Sequence, residues 1–282
     1  MPLPAALLVL LVTNLSYSQI RPDIHQILAE LGNNAQAYFL SANRPSYGVN
    51  AFTTPKHTVE IDFSLSANDE ILELPLSISY GISKNTEVFT GISLYTRSYD
   101  FRGNKIRGLG DANLGVKYRF QESDFFSHAV QMLIKLPTAN SKTDLGTGYT
   151  DFHFGVAQGF SYESWGYDLS LELNFLKRRN FPTVRVPPEL QRSIDSLKSS
   201  YSYKYESEFV FTFGPSLDIS DRVGIYAGYS FSRNLKLDFN TSEAYTGFGY
   251  ELSDKTSIGV GASFGIKNAL KWILSAAVNF QL

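Results

Sequence analysis

The sequence contains no cysteine, so its 282 residues can form neither disulfide bonds nor cysteine-based metal or catalytic sites. It has no run of basic residues, and its formal net charge is −2, so no nucleic-acid partner is expected. After residue 18 no apolar run approaches the roughly 18 residues that a transmembrane helix needs. These absences exclude disulfide-stabilised folds and argue against nucleic-acid-binding proteins and helical membrane proteins. Tyr and Phe, in contrast, are abundant, with 17 and 21 residues.

The first 18 residues predict a secretory signal peptide. An unbroken apolar core runs from Ala5 to Val12, and Ser16-Tyr17-Ser18 supplies small residues where a signal peptidase cuts. We expect cleavage before Gln19 and export of the mature chain. The predicted organisation is a signal peptide at 1–18, an N-terminal segment at 19–56 and one β-domain at 57–282.

Strict alternation marks the β-domain, and residues 108–120 (GLGDANLGVKYRF) show it clearly. Apolar side chains occupy every second position from Ala112 to Phe120, and polar side chains occupy the positions between. Because successive side chains of a strand point to opposite faces, this pattern predicts a strand with one apolar and one polar face. About 12 such candidate strands follow one another from residue 57 to the end.

The connections between these strands decide which face is the inside. Every second connection is short and polar, as at 83–86, 163–165, 220–222 and 253–256, and the longest of the others spans 178–201. Short turns at one end and an even strand number are typical of outer-membrane barrels. This pattern favours an apolar face turned to lipid over an apolar face turned to a soluble core.

Aromatic residues recur at one depth on the apolar face, close to the short turns. They are Tyr80, Tyr118, Phe160, Tyr250 and Phe280. Aromatic girdles at the membrane interface are a property of transmembrane barrels. The sequence therefore predicts an all-β fold, a transmembrane antiparallel β-barrel in the outer membrane of a Gram-negative-type bacterium, with outer-membrane lipid around a monomer.

The polar face should line the lumen. Its predicted residues include Asn113, Lys117, Arg119, His153 and Glu172. Antiparallel pairing of neighbouring strands also places Lys135 between Asp111 and Asp151. Opposite charges adjacent on a sheet face attract one another. Two interpretations stay open: a charged constriction that selects solutes, and an ion-pair cluster that stiffens the inner wall.

The N-terminal segment contains a short amphipathic pattern. Residues 22–31 (PDIHQILAEL) place apolar side chains at helical spacing, and Gly32 would end the helix. This helix is either a plug inside the barrel or part of a periplasmic tail. The difference matters because a 12-stranded barrel lies between filled eight-stranded barrels and open porins.

The sequence gives little support for catalysis. The four histidines show no triad-like or metal-like spacing, so neither an enzyme nor a metal or other cofactor is expected. His153 could serve as a general base, but a hydrogen-bonded histidine of the lumen wall is the simpler interpretation. Ser127-His128 is the one candidate for a lipid hydrolase embedded in the membrane.

A series of short motifs runs through the chain, at 44–47 (RPSY), 54–55 (TP), 59–60 (VE), 74–76 (LPL), 80–83 (YGIS), 87–88 (EV), 108–111 (GLGD), 115–118 (GVKY), 135–138 (KLPT) and 146–148 (GTG), followed by Asp151. In their order and spacing these motifs resemble the outer-membrane transporter family named for the meta pathway of phenol degradation. The resemblance implies a monomeric outer-membrane barrel that passes small, hydrophobic compounds. A closed barrel with a structural or partner-binding role through its outer loops is the alternative function.

Overall fold

Alternation in the sequence becomes a continuous antiparallel sheet in the computed structural model, which describes residues 49–69, 71–99, 105–139, 145, 148–177, 206–235, 239–269 and 271–282. The predicted signal peptide, the helix at 22–31 and the loop at 178–201 lie outside these residues. Among the described residues, no helix is long and apolar enough to cross a membrane.

Within the described residues, thirteen strands form one sheet. They are β1 (Val59–Ala67), β2 (Leu72–Ser83), β3 (Thr86–Tyr99), β4 (Lys105–Gly108), β5 (Ala112–Glu122), β6 (Phe126–Leu136), β7 (Asp151–Tyr162), β8 (Trp165–Leu176), β9 (Glu206–Ser220), β10 (Val223–Asn234), β11 (Phe239–Ser253), β12 (Thr256–Lys267) and β13 (Trp272–Gln281).

The sheet closes on itself because β1 pairs with both β2 and β13, and β2 pairs with β3. The short β4 pairs only with residues 96–99 of β3, whereas residues 86–92 of β3 pair with β5. The result is a closed barrel of 12 antiparallel strands, with β4 as an extension of the β3 hairpin. This confirms the predicted fold class.

The two faces of the wall differ as the alternation predicts. Leu114 and Val116 on β5 are 55% and 38% exposed, whereas Lys117 between Val116 and Tyr118 is only 4% exposed. Exposed apolar side chains recur on every strand that makes the wall, and many polar side chains are buried on the opposite face. A large apolar outer surface around a polar interior is the arrangement that a lipid environment stabilises.

The two-residue turns of β2–β3, β7–β8, β9–β10 and β11–β12 lie at one end of the barrel. Near these turns the structure places the predicted girdle residues Tyr80, Tyr118, Phe160, Tyr250 and Phe280 among outward positions. Rings also contact one another across four strands. The ring centroid of Phe160 on β7 lies 5.1 Å from that of Phe126 on β6 and 5.2 Å from that of Tyr167 on β8. The ring centroids of Tyr167 and Phe213, on β8 and β9, are 5.9 Å apart. Their role as a membrane girdle stays a prediction.

Candidate functional site in the barrel lumen

A stripe of small residues on the inner wall receives the chain that precedes β1. Gly155, Ala157 and Gly159 occupy successive inward positions of β7, next to Ala129 of β6. Val49 and Ala51 pack with Ala129 and Ala157 in a buried apolar cluster. We call residues 49–55 the lumenal strap, because they lie inside the barrel against this stripe.

The fit of the strap depends on the missing side chains of two glycines. A Cβ built on Gly155 would lie 2.8 Å from Val49 Cγ2, and one built on Gly159 would lie 3.4 Å from Phe52 Cζ and 3.5 Å from Ala51 Cβ. The strap therefore follows the wall from the level of Gly155 down to that of Gly159, toward the end with the short turns.

Lys117 of β5 and Glu87 of β3 anchor the middle of the strap. Their side chains pair directly across the two strands, with Nζ 3.0 Å from Oε1. The same ammonium donates hydrogen bonds to Asn50 Oδ1 at 3.2 Å and to the Phe52 carbonyl at 3.0 Å. Glu87 Oε2 accepts a hydrogen bond of 2.6 Å from the Thr54 amide. One buried ion pair thus holds both the wall and the strap.

The end of the strap is fixed against β1 and β2. The Thr54 hydroxyl lies 2.7 Å from Ser79 Oγ and 3.4 Å from Glu60 Oε2. The chain then passes directly over Gly81, whose amide donates to the Thr58 carbonyl and whose carbonyl accepts from the His57 amide. A Cβ on Gly81 would lie 2.5 Å from the Thr54 carbonyl oxygen and closer still to that of Pro55. Only glycine allows this close approach of two backbones.

Two tyrosines fill the opposite side of the lumen. Tyr226 of β10 and Tyr245 of β11 are buried, and their ring centroids are 6.4 Å apart. The Tyr245 ring lies on Gly228, and the Tyr226 ring lies on Gly247, in positions that a Cβ would occupy. The lumen is narrowed from two sides, by the strap and by these rings.

The predicted charged cluster assembles near the ends of β5, β6 and β7 that face away from the short turns. The Lys135 ammonium forms ion pairs with Asp151 and, at 3.5 Å, with Asp111. The second oxygen of each carboxylate accepts a backbone hydrogen bond: Asp111 from the Ala139 amide at 2.9 Å, and Asp151 from the Lys177 amide at 2.8 Å. The cluster therefore also holds the segments that follow β6 and β8.

The other predicted lumen residues lie at different depths. Asn113 is opposite Lys135, and His153 is buried with its Nδ1 2.8 Å from Asn174 Oδ1. Arg119 lies near the short turns, where it donates to the Lys84 carbonyl at 2.6 Å and pairs with Glu122 at 2.9 Å. Glu172 lies beside the strap and hydrogen bonds with the backbone of Val49.

Carboxylates dominate the inner wall. Those that are buried, or that contact other inward residues, are Glu60, Asp62, Glu73, Glu87, Asp111, Asp151, Asp168, Glu172, Glu206 and Glu208. The cations at the corresponding positions of the described strands are Lys117, Arg119 and Lys135. The interior is therefore acidic, although the whole sequence is nearly neutral.

The structure does not bring together the two residues considered for a lipid hydrolase, Ser127 and His128. Ser127 and His128 are neighbours on β6 and point to opposite faces, as the burial of Ser127 and the contact of His128 with the Phe120 ring show. They do not form a nucleophile–base pair. In the part of the chain that the structure describes, no group of three or more His, Asp or Glu side chains is placed to hold a metal ion.

Sequence reasoning identified Lys117 as a lumen residue but missed its contacts with Glu87 and the strap. Inward parity on neighbouring strands could have paired Glu87 with Lys117. No periodic signal indicates where residues 49–55 lie, because they form no regular element.

Comparisons with known proteins support the fold. A search against protein-family models found no match, and a search of curated proteins found no relative. Among solved structures, an outer membrane channel from Pseudomonas putida F1 superimposes with a TM-score of 0.62 and 11% identity, covering 83% of this chain and 99% of that chain. The NanC porin gives a TM-score of 0.55 and 8% identity, covering 79% and 100%. The KdgM porin gives 0.54 and 8%, covering 78% and 98%. At such low identity these likenesses show that this chain has the fold of outer-membrane channels.

Proposed function

We propose that this protein is an outer-membrane channel that passes small solutes through a narrow lumen, and that the lumenal strap controls how much of that lumen is open. The observation that carries the proposal is a closed barrel with an apolar outer face and a polar, carboxylate-rich inner face. We place it in the outer membrane of a Gram-negative-type bacterium, as an exported, monomeric and non-enzymatic protein.

We also propose membership of the outer-membrane transporter family named for the meta pathway of phenol degradation. Its supporting motifs are distant in sequence but meet in the structure. Thr54-Pro55, Gly81, Glu87 and Lys117 come from four motifs and together fix the strap. Asp111, Lys135 and Asp151 come from three others and form the charged cluster. These contacts explain why residues from separate short motifs would occur together in one family.

The inner wall favours one class of solute. A structure of KdgM in complex with oligogalacturonate has the same fold, with a TM-score of 0.52. Oligogalacturonate is a chain of acidic sugars, and the carboxylates that line this lumen would repel such an anion. Polar neutral or cationic solutes are therefore better suited to this channel. The hydrophobic solute that the family resemblance implies stays a prediction.

The same strap also favours the second candidate function, a permanently closed barrel with a structural or partner-binding role. Val49, Ala51 and Phe52 occupy lumen space that a solute would need. The two functions differ in one respect: a channel requires that the strap can leave the wall, whereas a closed barrel does not.

An engineered disulfide separates these functions. The Cβ of Ala51 lies 3.5 Å from the position of a Cβ on Gly159, which is within the range of natural disulfides. Since the chain has no cysteine of its own, the variant Ala51→Cys/Gly159→Cys can form only this intramolecular bond. The two single-cysteine variants are matched controls.

The measurement is solute entry into liposomes that contain the purified protein. For a channel, we expect entry through the wild-type protein, a large loss in the oxidised double variant, and recovery when the disulfide is reduced. If neither the wild-type protein nor the reduced variant passes any solute, the channel function is wrong. If entry is equal in the oxidised and reduced states, the strap does not control it.

A further inference from the structure

One stripe of the inner wall carries three buried oxygen atoms that have no hydrogen-bond donor within the described chain. They are Asp168 Oδ1, Ser170 Oγ and Glu172 Oε1, on successive inward positions of β8. Ser170 is only 3% exposed. Leaving a buried acceptor without a donor destabilises the folded chain, and more strongly so when the acceptor is charged. Three in a row on one strand indicate that a donor normally comes from elsewhere.

The cross-strand neighbours on β7 and β9 do not supply these donors. Asp168 lies between Gly159 on β7 and Gly214 on β9, and Glu172 lies between Gly155 and Val210. None of these four residues has a polar side chain. The Thr212 hydroxyl, beside Ser170, lies 3.5 Å from Ser230 Oγ on its other side.

The lumen cation that attracts Asp168 is fully used by other contacts. Lys117 acts on Asp168 through its charge, but its ammonium group has three N–H donors. Three acceptors surround that ammonium: Glu87 Oε1, Asn50 Oδ1 and the Phe52 carbonyl. The strap residues beside the stripe, Val49, Ala51 and Phe52, add apolar side chains. The Val49 backbone hydrogen bonds with the Glu172 carboxylate, but Asp168 Oδ1, Ser170 Oγ and Glu172 Oε1 receive no hydrogen bond from the strap.

We propose that Asp168, Ser170 and Glu172 form a binding site for small organic cations that carry N–H donors, such as linear diamines and polyamines. This assignment deepens the proposed function, on which it rests, by naming a solute class. Ammonium groups bring both the charge and the donors that the three oxygens lack, and hydrogen bonds between charged partners are the strongest class.

The spacing of the stripe suits a linear ligand. Alternate residues of a strand are about 6.6 Å apart, since each residue rises about 3.3 Å. The site thus presents oxygens in steps along the barrel axis rather than around one point. The Cα atoms of Asp168 and Glu172, four residues apart on the strand, are about 13 Å apart, so one metal ion fits the stripe poorly, whereas an extended polyamine follows such a line.

The test is calorimetric titration of putrescine and spermidine into the purified full-length protein in detergent. We expect both amines to bind the wild-type protein, and Asp168→Asn and Glu172→Gln each to weaken the binding of the longer spermidine about tenfold or more, the effect of losing one charge-assisted hydrogen bond. Asp62→Asn is the matched control. It removes one lumen carboxylate that already accepts a hydrogen bond of 2.7 Å from Asn279.

Heat-modifiable migration in electrophoresis verifies that each variant forms a closed barrel. The assignment is wrong if putrescine does not bind the wild-type protein, or if Asp62→Asn weakens binding as much as Asp168→Asn. It is also wrong if potassium at matched ionic strength competes as well as the amine, because charge alone would then explain binding. Liposome entry of a neutral sugar is measured in parallel. Sugar entry without amine binding removes only this site, whereas amine binding without any solute entry removes only the channel function.

Discussion

Glu87 and Lys117 face each other across β3 and β5, with 3.0 Å between carboxylate and ammonium, and both side chains are about 95% buried. Each of them also bonds to the strap, through the Thr54 amide and the Phe52 carbonyl. The same ion pair therefore connects β3 with β5 and also holds the strap against the inner wall. Changes at either residue should affect barrel stability and strap position together.

Lys117→Met should destabilise the barrel because it leaves the Glu87 carboxylate buried without its cation. Breaking a buried ion pair in this way costs about 3–5 kcal/mol. We expect a decrease of this size in the free energy of unfolding, measured by urea titration in detergent with the fluorescence of the two tryptophans.

Lys117→Met/Glu87→Gln is the matched control for this loss. It removes both charges, and the amide of Gln can still contact the strap, so it should recover most of the stability. If the double variant is as unstable as Lys117→Met, the loss comes from the strap contacts of Lys117 rather than from an unpaired charge.

The alternation of the sequence was sufficient to predict the wall but not its contents. Leu114 and Lys117 point where their positions predict because the side-chain period of a strand is two residues. Phe89 is instructive, since it is apolar on the polar face of its strand. Its ring lies where a Cβ of Gly115 would be, so this irregularity signalled a contact inside the lumen. The strap gave no such signal, because a segment without regular structure has no period.

Lys135→Ala should lower stability without changing ion selectivity. The ammonium joins Asp111 and Asp151, and the carboxylates hold the backbones of Ala139 and Lys177. Because Lys135 is 19% exposed, we discount the cost of a buried pair and expect a loss of about 1–3 kcal/mol. Thermal unfolding and the reversal potential in a salt gradient measure the two effects.

Lys135→Arg keeps the charge and is the control for Lys135→Ala. A shift of the reversal potential in Lys135→Ala but not in Lys135→Arg, with equal unfolding temperatures, would instead establish a selectivity constriction. The two interpretations that the sequence left open are distinguished by this comparison.

Gly81→Ala should displace the end of the strap, since the new Cβ would overlap the backbone of Pro55 and Thr54. The bond between the His57 amide and the Gly81 carbonyl would then weaken. We expect trypsin to cleave after Lys56 about tenfold faster, which corresponds to about 1.4 kcal/mol of local destabilisation. Cleavage is measured by mass spectrometry of the intact protein.

Gly224→Ala provides the comparison for Gly81→Ala. This glycine also lies near the short turns, but a Cβ there would meet Asp218 Oδ1 at 3.0 Å and backbone only at 4.0 Å. Cleavage after Lys56 should stay at the wild-type rate. Equal acceleration in both variants would mean that general loosening of the barrel, and not the strap, controls access.

Gly247→Val should force the Tyr226 ring off the inner wall, because that ring occupies the space of the new side chain. Overpacking of this kind costs about 1–3 kcal/mol. A double-mutant cycle divides the cost: in a Tyr226→Ala background, Gly247→Val should cost less but not become neutral, because its Cβ also lies 2.5 Å from the Val260 carbonyl oxygen of β12. An undiminished cost without the Tyr226 ring would mean that the contact with the β12 backbone, and not the ring, accounts for the loss.

Leu114→Arg tests the orientation of the whole wall. Leu114 is 55% exposed on the outer face of β5. Tyr118 lies on the same face, four residues closer to the short turns, and is 48% exposed. If lipid surrounds the barrel, an Arg near the bilayer midplane costs about 2–4 kcal/mol, whereas an Arg near the interface costs about 0–1 kcal/mol. Leu114→Arg should therefore lower the free energy of unfolding in liposomes much more than Tyr118→Arg does.

In water, two outward residues of similar exposure would tolerate Arg equally, so equal and small effects in the two variants would contradict a lipid-facing surface. Unfolding in urea, measured in the same lipid for both variants, gives the comparison directly.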